Sequence, residues 1–224
     1  MVTPHSALLV SLTLAVCTVV ILLIICLPVA WWLAQYRGKA KSLLQTLITL
    51  PLVLPPTVLG FYLLVLLAPN SYLGQFWQTM TGSTLAFSFS GILLGSLIYS
   101  LPFVMQPLIQ ALQQTGLAYY QVMQSLGVPR WRCILFHVLP VCKASIITAA
   151  TLGFAHTMGE FGLILLIGGN IPGETRVLSV ELYNQIMVLD YASAHQSALL
   201  LLVTSALSLW LLYWLNPQHS MVKL

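Results

Sequence analysis

An all-α membrane protein with about five transmembrane helices is the fold class this sequence predicts, and three observations predict it. Hydrophobic residues fill 59% of the 224 positions and charged residues only 5%, where a soluble domain carries about 25% charged. Mean hydropathy is +0.95. The apolar residues also gather into five runs, roughly 7–35, 48–68, 85–112, 137–168 and 192–215. A helix needs about 20 apolar residues to cross a hydrocarbon core about 30 Å thick, so each run is long enough to span. No polar stretch between them is long enough to bury a core of its own, and residues 1–224 read as a single transmembrane domain.

The first run is uncharged from Met1 to Tyr36 and ends in Trp31, Trp32 and Tyr36, the aromatics expected at a membrane interface. Leu14-Ala15-Val16-Cys17 has Val where a cleavage site needs a small residue, and no Lys or Arg precedes it, so a cleaved signal is rejected. The second run opens at Pro51 and contains Pro55-Pro56, which predicts a bent or irregular start. Tyr72 and Trp77 follow in a loop. In the third run Gly91 and Gly95 form a GxxxG pair, and Ala149 and Gly153 a similar pair in the fourth. Such pairs let backbones approach closely, within the chain or against a second subunit. Pro28, Pro102 and Pro107 should bend their helices. Trp210, Tyr213 and Trp214 close the fifth run as a second interfacial belt.

Charge placement orients the bundle. Arg37, Lys39, Lys41, Arg130, Arg132, Lys143 and Lys223 fall on one side of a five-span chain, and Arg176 alone on the other. The positive-inside rule then puts the N-terminus outside and the C-terminus in the cytoplasm. The basic residues form no aromatic-interleaved groove, so the net charge of +4 implies no nucleic-acid partner. Cys17, Cys26, Cys133 and Cys142 have no ligand-like spacing and read as small apolar residues. No internal repeat of useful strength is visible, which weighs against an inverted-repeat secondary transporter.

No catalytic set is apparent. Gly38-Lys39 lacks the first Gly and the Ser/Thr of a phosphate-binding loop, and neither HExxH nor GxSxG occurs. His156 and Glu160 stand four apart and could share a helical face, but no third metal ligand is near, so no metal is expected. Glu160 itself, beside Phe161 in the outer half of the fourth run, needs an explanation. An acid at membrane depth costs roughly 2.5–3.5 kcal/mol by insertion scales and faces a cavity or a partner. It reads either as a pathway or gate contact, or as a hydrogen-bonded brace of the bundle. Arg176 is the partner to test, being the only basic residue on that side.

Residues 168–190 carry Glu174, Arg176, Glu181 and Asp190. Asn170 to Gly173 is a turn by composition. Val177, Val180, Leu182, Ile186 and Met187 suit a short amphipathic helix. This outer segment (about 169–190) is either a cap on the bundle or a docking surface or re-entrant gate.

On the opposite side, residues 116–126 form a mostly polar segment with Tyr119, Tyr120, Gln121, Gln124 and Ser125. Gly127 then permits positive φ, and Pro129 suits the first turn of a new helix. The pattern predicts two short helices joined by a tight elbow, with Arg130 and Arg132 holding it in the cytoplasm. In this stretch Leu126, Gly127, Trp131, Arg132, Phe136, Leu139 and Pro140 resemble the EAA loop of ABC-importer permeases. The Glu-Ala-Ala portion is missing, with Tyr120, Val122 and Met123 in its place.

Three further segments, "LPLVLPPTVLGFYLLVLL", "LAFSFSGILLGSLIYSLPFVMQPL" and "GEFGLILLIGGNIPGETRVLSVELY", resemble molybdate permease subunits of that class. Parts of the last are also similar to sulfate permeases. The resemblance implies a type I ABC-importer permease fold in a bacterial plasma membrane. It implies a pore made with a second copy of the chain, two cytoplasmic ATP-binding subunits, an external binding protein and no cofactor. ATP hydrolysis would reside in the partner subunits. The coupling loop would be about 114–136, with Tyr120, Gln121, Ser125, Leu126, Gly127, Val128, Pro129 and Arg130 at the contact. Asn170, Pro172, Gly173 and Glu174 would meet the binding protein, and Glu160, Phe161 and Arg176 would line a pathway or gate. Sulfate, tungstate or another oxyanion is the alternative cargo, and a stand-alone secondary transporter the alternative machine.

Overall fold

The computed structural model describes residues 4–215, and every regular element among them is helical. Lys223, counted above with the inner charges, lies outside the described residues. Helix α1 (Pro4–Gln35) is followed by α2 (Lys41–Val53) and α3 (Pro56–Leu67), which meet at 108°. The predicted irregularity thus falls at Leu54-Pro55, both in extended backbone, because Pro56 cannot donate and Pro55 is disfavoured in a continuing helix. Helix α4 (Tyr72–Thr81) replaces the loop expected around Tyr72 and Trp77. It is capped by the Ser71 hydroxyl, which accepts from the Gly74 amide at 2.9 Å.

Helix α5 (Phe89–Ala111) starts at a Ser88 cap and runs through a π-helical turn (Leu112–Gly116) into α6 (Leu117–Ser125). Together they make one 37-residue rod, about 55 Å long at 1.5 Å per residue. The polar segment 116–126 is therefore the end of this rod and not a separate helix, since neither a proline nor an αL glycine falls between Pro107 and Gly127. After the elbow come α7 (Arg130–Cys133), a second π-helical turn (Ile134–Val138) and α8 (Leu139–Val141). Helix α9 (Lys143–Gly159) leaves at 69° to that stretch. The fourth apolar run is thus broken twice, at Cys142 and again at Glu160-Phe161, before α10 (Gly162–Gly168). Helix α11 (Leu178–Met187) is the short outer helix foreseen, and α12 (Tyr191–Leu215) is the last.

Three of these helices are long and apolar enough to cross a membrane, and the two bent pairs bring the number to five. The rod α5 is the centre of the bundle, packed against α1, α2, α9 and α10. One core cluster, towards the end bearing Trp31, gathers Leu22, Cys26, Leu33, Met105, Leu108 and Val138. A second gathers Leu14, Ile92, Leu163, Ile167 and Val180. Cys26, Cys133 and Cys142 are buried as small apolar residues, while Cys17 is half-buried. Both small-residue pairs serve packing inside the chain. A Cβ on Gly95 would lie 2.3 Å from Ile167 Cδ1 of α10, and one on Gly153 2.7 Å from Val104 Cγ2 of α5. Helix α12 leaves Leu199, Leu202, Leu207 and Trp210 exposed, as a lipid-facing helix would.

The two ends of the bundle are chemically distinct. At one, Trp31 packs edge-on against Tyr120 with ring centroids 5.0 Å apart. That end carries Arg37, Lys39, Lys41, Arg130, Arg132 and Lys143. At the other, the Ser11 hydroxyl of α1 accepts from the Leu178 amide at 2.7 Å, tying α1 to α11 beside Arg176.

Candidate functional site

The elbow between α6 and α7 is built by a glycine cap. Gly127 has φ of 77°, its amide donates to the Gln124 carbonyl at 3.0 Å, and the Val128 amide donates to Met123 at 3.1 Å. This pair of bonds is a Schellman motif, which ends a helix by satisfying its last carbonyls. Gln124 Nε2 closes the turn by donating to the Val128 carbonyl at 2.8 Å. Nothing lies within 4 Å of a Cβ built on Gly127, so conformation and not space selects glycine there.

Of the coupling-loop candidates, Gln121, Ser125, Leu126, Gly127, Pro129 and Arg130 are exposed, and Val128 is half-buried. Tyr120 faces inward onto Trp31, so it is a packing residue. The apolar side chains Val122, Leu126, Trp131, Leu135 and Phe136 are also exposed here, with the Arg132 guanidinium 5.1 Å from the Trp131 ring centre. Apolar exposure framed by polar residues suits contact with another protein or with the membrane surface.

The second site is the break at Glu160. Helix α9 stops at Gly159, so Glu160 leaves the helical face it was expected to share with His156. Glu160 is 4% exposed, and its Oε2 accepts from the Ser96 hydroxyl of α5 at 3.0 Å. Its main-chain carbonyl accepts from the Ser179 hydroxyl of α11. Oε1 has no hydrogen-bond partner among the described residues. His156 stacks on Phe103 at 4.0 Å, and its Nδ1 lies 2.9 Å from the Ser100 hydroxyl, which also meets Thr157 Oγ1 at 3.0 Å. Phe161 packs against Tyr183 of α11. The group borders a cavity of about 590 Å³ lined by Pro56, Tyr99, His156, Glu160 and Phe161. Among the described residues no three His, Cys, Asp or Glu side chains converge as metal ligands.

Arg176, the partner to test, does not pair with Glu160. Its Nη1 donates to Glu181 Oε2 at 3.2 Å, its Nε to Asn170 Oδ1 at 2.7 Å and its Nη2 to the Asn170 carbonyl at 3.2 Å. Glu181 lies five residues away across the start of α11, while the Glu160 carboxyl is turned into the bundle towards α5. Asn170 is held at φ of 60° and also exchanges amide bonds with Asn184. Its side chain is therefore spent inside the outer turn, and the exposed tip consists of Pro172, Gly173 and Glu174. The sequence reading missed Ser96, Ser100, Thr157, Thr175, Ser179 and Asn184. Each is a small polar residue, and their signal was their isolation within or beside apolar runs.

Comparison with known proteins shows what the chain as a whole is similar to. Residues 26–220 match the family described as binding-protein-dependent transport system inner membrane component. The chain is 44% identical over 208 residues to the molybdenum transport system permease protein ModB of Azotobacter vinelandii, covering 93% of this chain and 92% of that one. It is 34% identical over 216 residues to ModB of Haemophilus influenzae, covering 95% and 93%. Against the sulfate transport system permease protein CysT of Escherichia coli the identity is 31% over 194 residues, 87% of this chain and 69% of that one. Among solved structures, a bacterial alginate ABC transporter in complex with its alginate-bound periplasmic protein superposes with a TM-score of 0.75 at 16% identity, over 96% of this chain and 78% of that one. By sequence over most of its length and by fold, the chain belongs to the binding-protein-dependent permeases, the multi-pass inner-membrane components of ABC import systems, in which ATP hydrolysis belongs to a separate subunit.

Proposed function

We propose that this permease is the pore-forming subunit of an ATP-driven molybdate importer. The observation that carries the cargo is the near-complete alignment with molybdenum permeases, at 44% identity over 92% of the relative's length, against 31% over 69% for a sulfate permease. Two copies of the chain form the pore, two ATP-binding subunits engage the exposed elbow, and an external binding protein delivers the anion at the end bearing Pro172, Gly173 and Glu174. The basic residues crowd the elbow end, which favours that end as cytoplasmic by the positive-inside rule. Residues 114–136 act as the coupling loop, and residues 169–190 as the outer loop.

The elbow's chemistry suits this role. Leu126, Trp131 and Phe136 offer apolar contact, and Arg130 supplies charge where a Glu-Ala-Ala segment is absent. ATP binding then favours one of two permease conformations by binding that state of the assembly better. Glu160 and Phe161 stand at the edge of the cavity of about 590 Å³, where the broken α9–α10 segment acts as the gate element.

Reconstitution with the ATP-binding subunits and the binding protein tests the reading. The expected result is ATP-dependent molybdate uptake that exceeds sulfate uptake. Uptake without the ATP-binding subunits would sink the ABC mechanism, and a preference for sulfate would sink the molybdate assignment.

A further inference from the structure

We infer that the glutamine face of α5, centred on Gln110, is a transit site for a hydrated tetrahedral oxyanion, recognised by neutral amide donors. The inference rests on the oxyanion cargo proposed above.

Gln106, Gln110, Gln113 and Gln114 are all exposed, and none makes a side-chain hydrogen bond among the described residues. Leu112 and Trp31 line one small cavity, which puts Leu112 at the depth of the aromatic belt. Gln106 then lies about 9 Å deeper into the membrane, at 1.5 Å per residue. An unpaired amide facing lipid is costly, so this face is covered by water, cargo or protein.

Two grooves flank it. One, of about 510 Å³ between α2 and α5, is lined by Gln45, Thr46, Thr49, Gln106, Gln110 and Gln113 among others. The other, of about 280 Å³ between α5 and the α8–α9 corner, takes Gln110, Gln114, Thr115 and Ser145. Gln110 lines both. The next two glutamines lie in the π-helical turn, and Gln113 enters one groove and Gln114 the other. Tyr99, Phe103, Gln106 and Gln110 recur at helical spacing, so one face of the helix runs from these grooves to Tyr99 in the lining of the cavity beside Glu160.

The chemistry selects the occupant. No Lys, Arg, Asp or Glu lines either groove. Each glutamine offers two N–H donors, which suit an oxyanion's acceptors. A fixed cation would retain a dianion, and a carboxylate would repel it; neutral amides bind weakly enough to let it leave. A lipid tail has no use for them.

The test uses the assembled transporter in proteoliposomes, with ATP hydrolysis and oxyanion uptake read in parallel. Gln106→Leu/Gln110→Leu should lower uptake about tenfold or more, as expected when hydrogen bonds to a charged group are lost. Binding-protein-stimulated ATP hydrolysis should stay within about twofold of wild type, which shows an intact assembly. Gln110→Glu should lose uptake similarly, and Gln110→Asn should keep most of it. Wild-type uptake by the double leucine variant would overturn the inference. So would parallel loss of uptake and hydrolysis, which would make this face a structural contact between copies. If the wild type moves sulfate and not molybdate, the molybdate assignment falls while the same variants decide the lane. If it moves no oxyanion, both fall.

Discussion

The outer ion pair yields the sharpest stability prediction. Arg176 and Glu181 are 19% and 9% exposed, and their N–O distance is 3.2 Å. Arg176→Gln removes the guanidinium and leaves the Glu181 carboxylate with only Gln185 Nε2, which donates to Oε1 at 3.1 Å. Asn170 loses two donors in the same step. Breaking a buried pair costs about 3–5 kcal/mol, and the residual Gln185 bond with partial exposure of Arg176 favours the lower end, about 3 kcal/mol. At about 2–4 °C per kcal/mol for a chain of this size, the unfolding midpoint should fall by about 6–12 °C. Glu181→Gln should cost only about 1 kcal/mol, because the surviving guanidinium keeps Asn170 and reaches water. The double variant should be more stable than the two single losses sum to, with a coupling of about 2 kcal/mol. Thermal unfolding of the four purified permeases in one detergent reads the cycle. A midpoint for Arg176→Gln within about 1 °C of wild type, or strictly additive losses, would refute the reasoning.

Three further substitutions probe the sites separately. Gly127→Val forces a β-branched residue to φ of 77°, a strain of about 1–2 kcal/mol or more; the chain should still insert, but uptake and co-purification with the ATP-binding subunits should drop together, and normal values for both would remove the elbow from coupling. Gly91→Ala should destabilise the chain far more than Gly82→Ala. Its Cβ would meet the Leu85 carbonyl oxygen at 2.2 Å, whereas Gly82 has positive φ and nothing within 4 Å. Equal melting shifts for the two would contradict that. Ser96→Ala strips the Glu160 carboxyl of its only side-chain hydrogen bond among the described residues, a loss of about 1–3 kcal/mol for a buried polar group left unsatisfied. Thermal unfolding should show it, and Glu160→Gln in the same background should recover part of the loss.

The parts legible in the sequence are those set by local chemistry. Apolar runs of the right length became helices, Pro55-Pro56 broke the second run, and Gly127 with Pro129 formed the elbow. The outer helix α11 was visible in its apolar spacing, although its buried face also holds Ser179, Glu181 and Gln185. What stayed hidden depends on distant contacts. The run 137–168 averages as one apolar span despite Lys143 and Glu160, so hydropathy does not show the break at Glu160. That break is held by Ser96 and Ser179, from helices before and after it in the chain. Arg176 had four possible acids by sign alone, and only the path of the chain through the Asn170 turn presents it to Glu181. The glutamines of α5 were in plain view but vanished into the average of an apolar run. Their common face matters only once α5 is known to be a continuous rod.

That rod links the proposed functions physically. Ser96, which holds Glu160, and Ser125, which ends the helix at the elbow, belong to one uninterrupted helix, about 44 Å apart at 1.5 Å per residue. No flexible loop lies between them to absorb a displacement. Force applied to the elbow by a partner subunit would therefore reach the Glu160 break along the backbone itself. The compliance lies within the rod: Pro102 and Pro107 each remove a backbone donor, and the π-helical turn at Leu112–Gly116 loosens the ladder just inside the elbow. Gln106, Gln110, Gln113 and Gln114 occupy this same compliant stretch. A change in the rod's bend would move the amides relative to α2 and α9, altering both grooves at once. The sequence elements that weaken α5 are thus placed where a bend would alter the surroundings of the proposed anion site, and a rigid helix there would give the proposed coupling less to move.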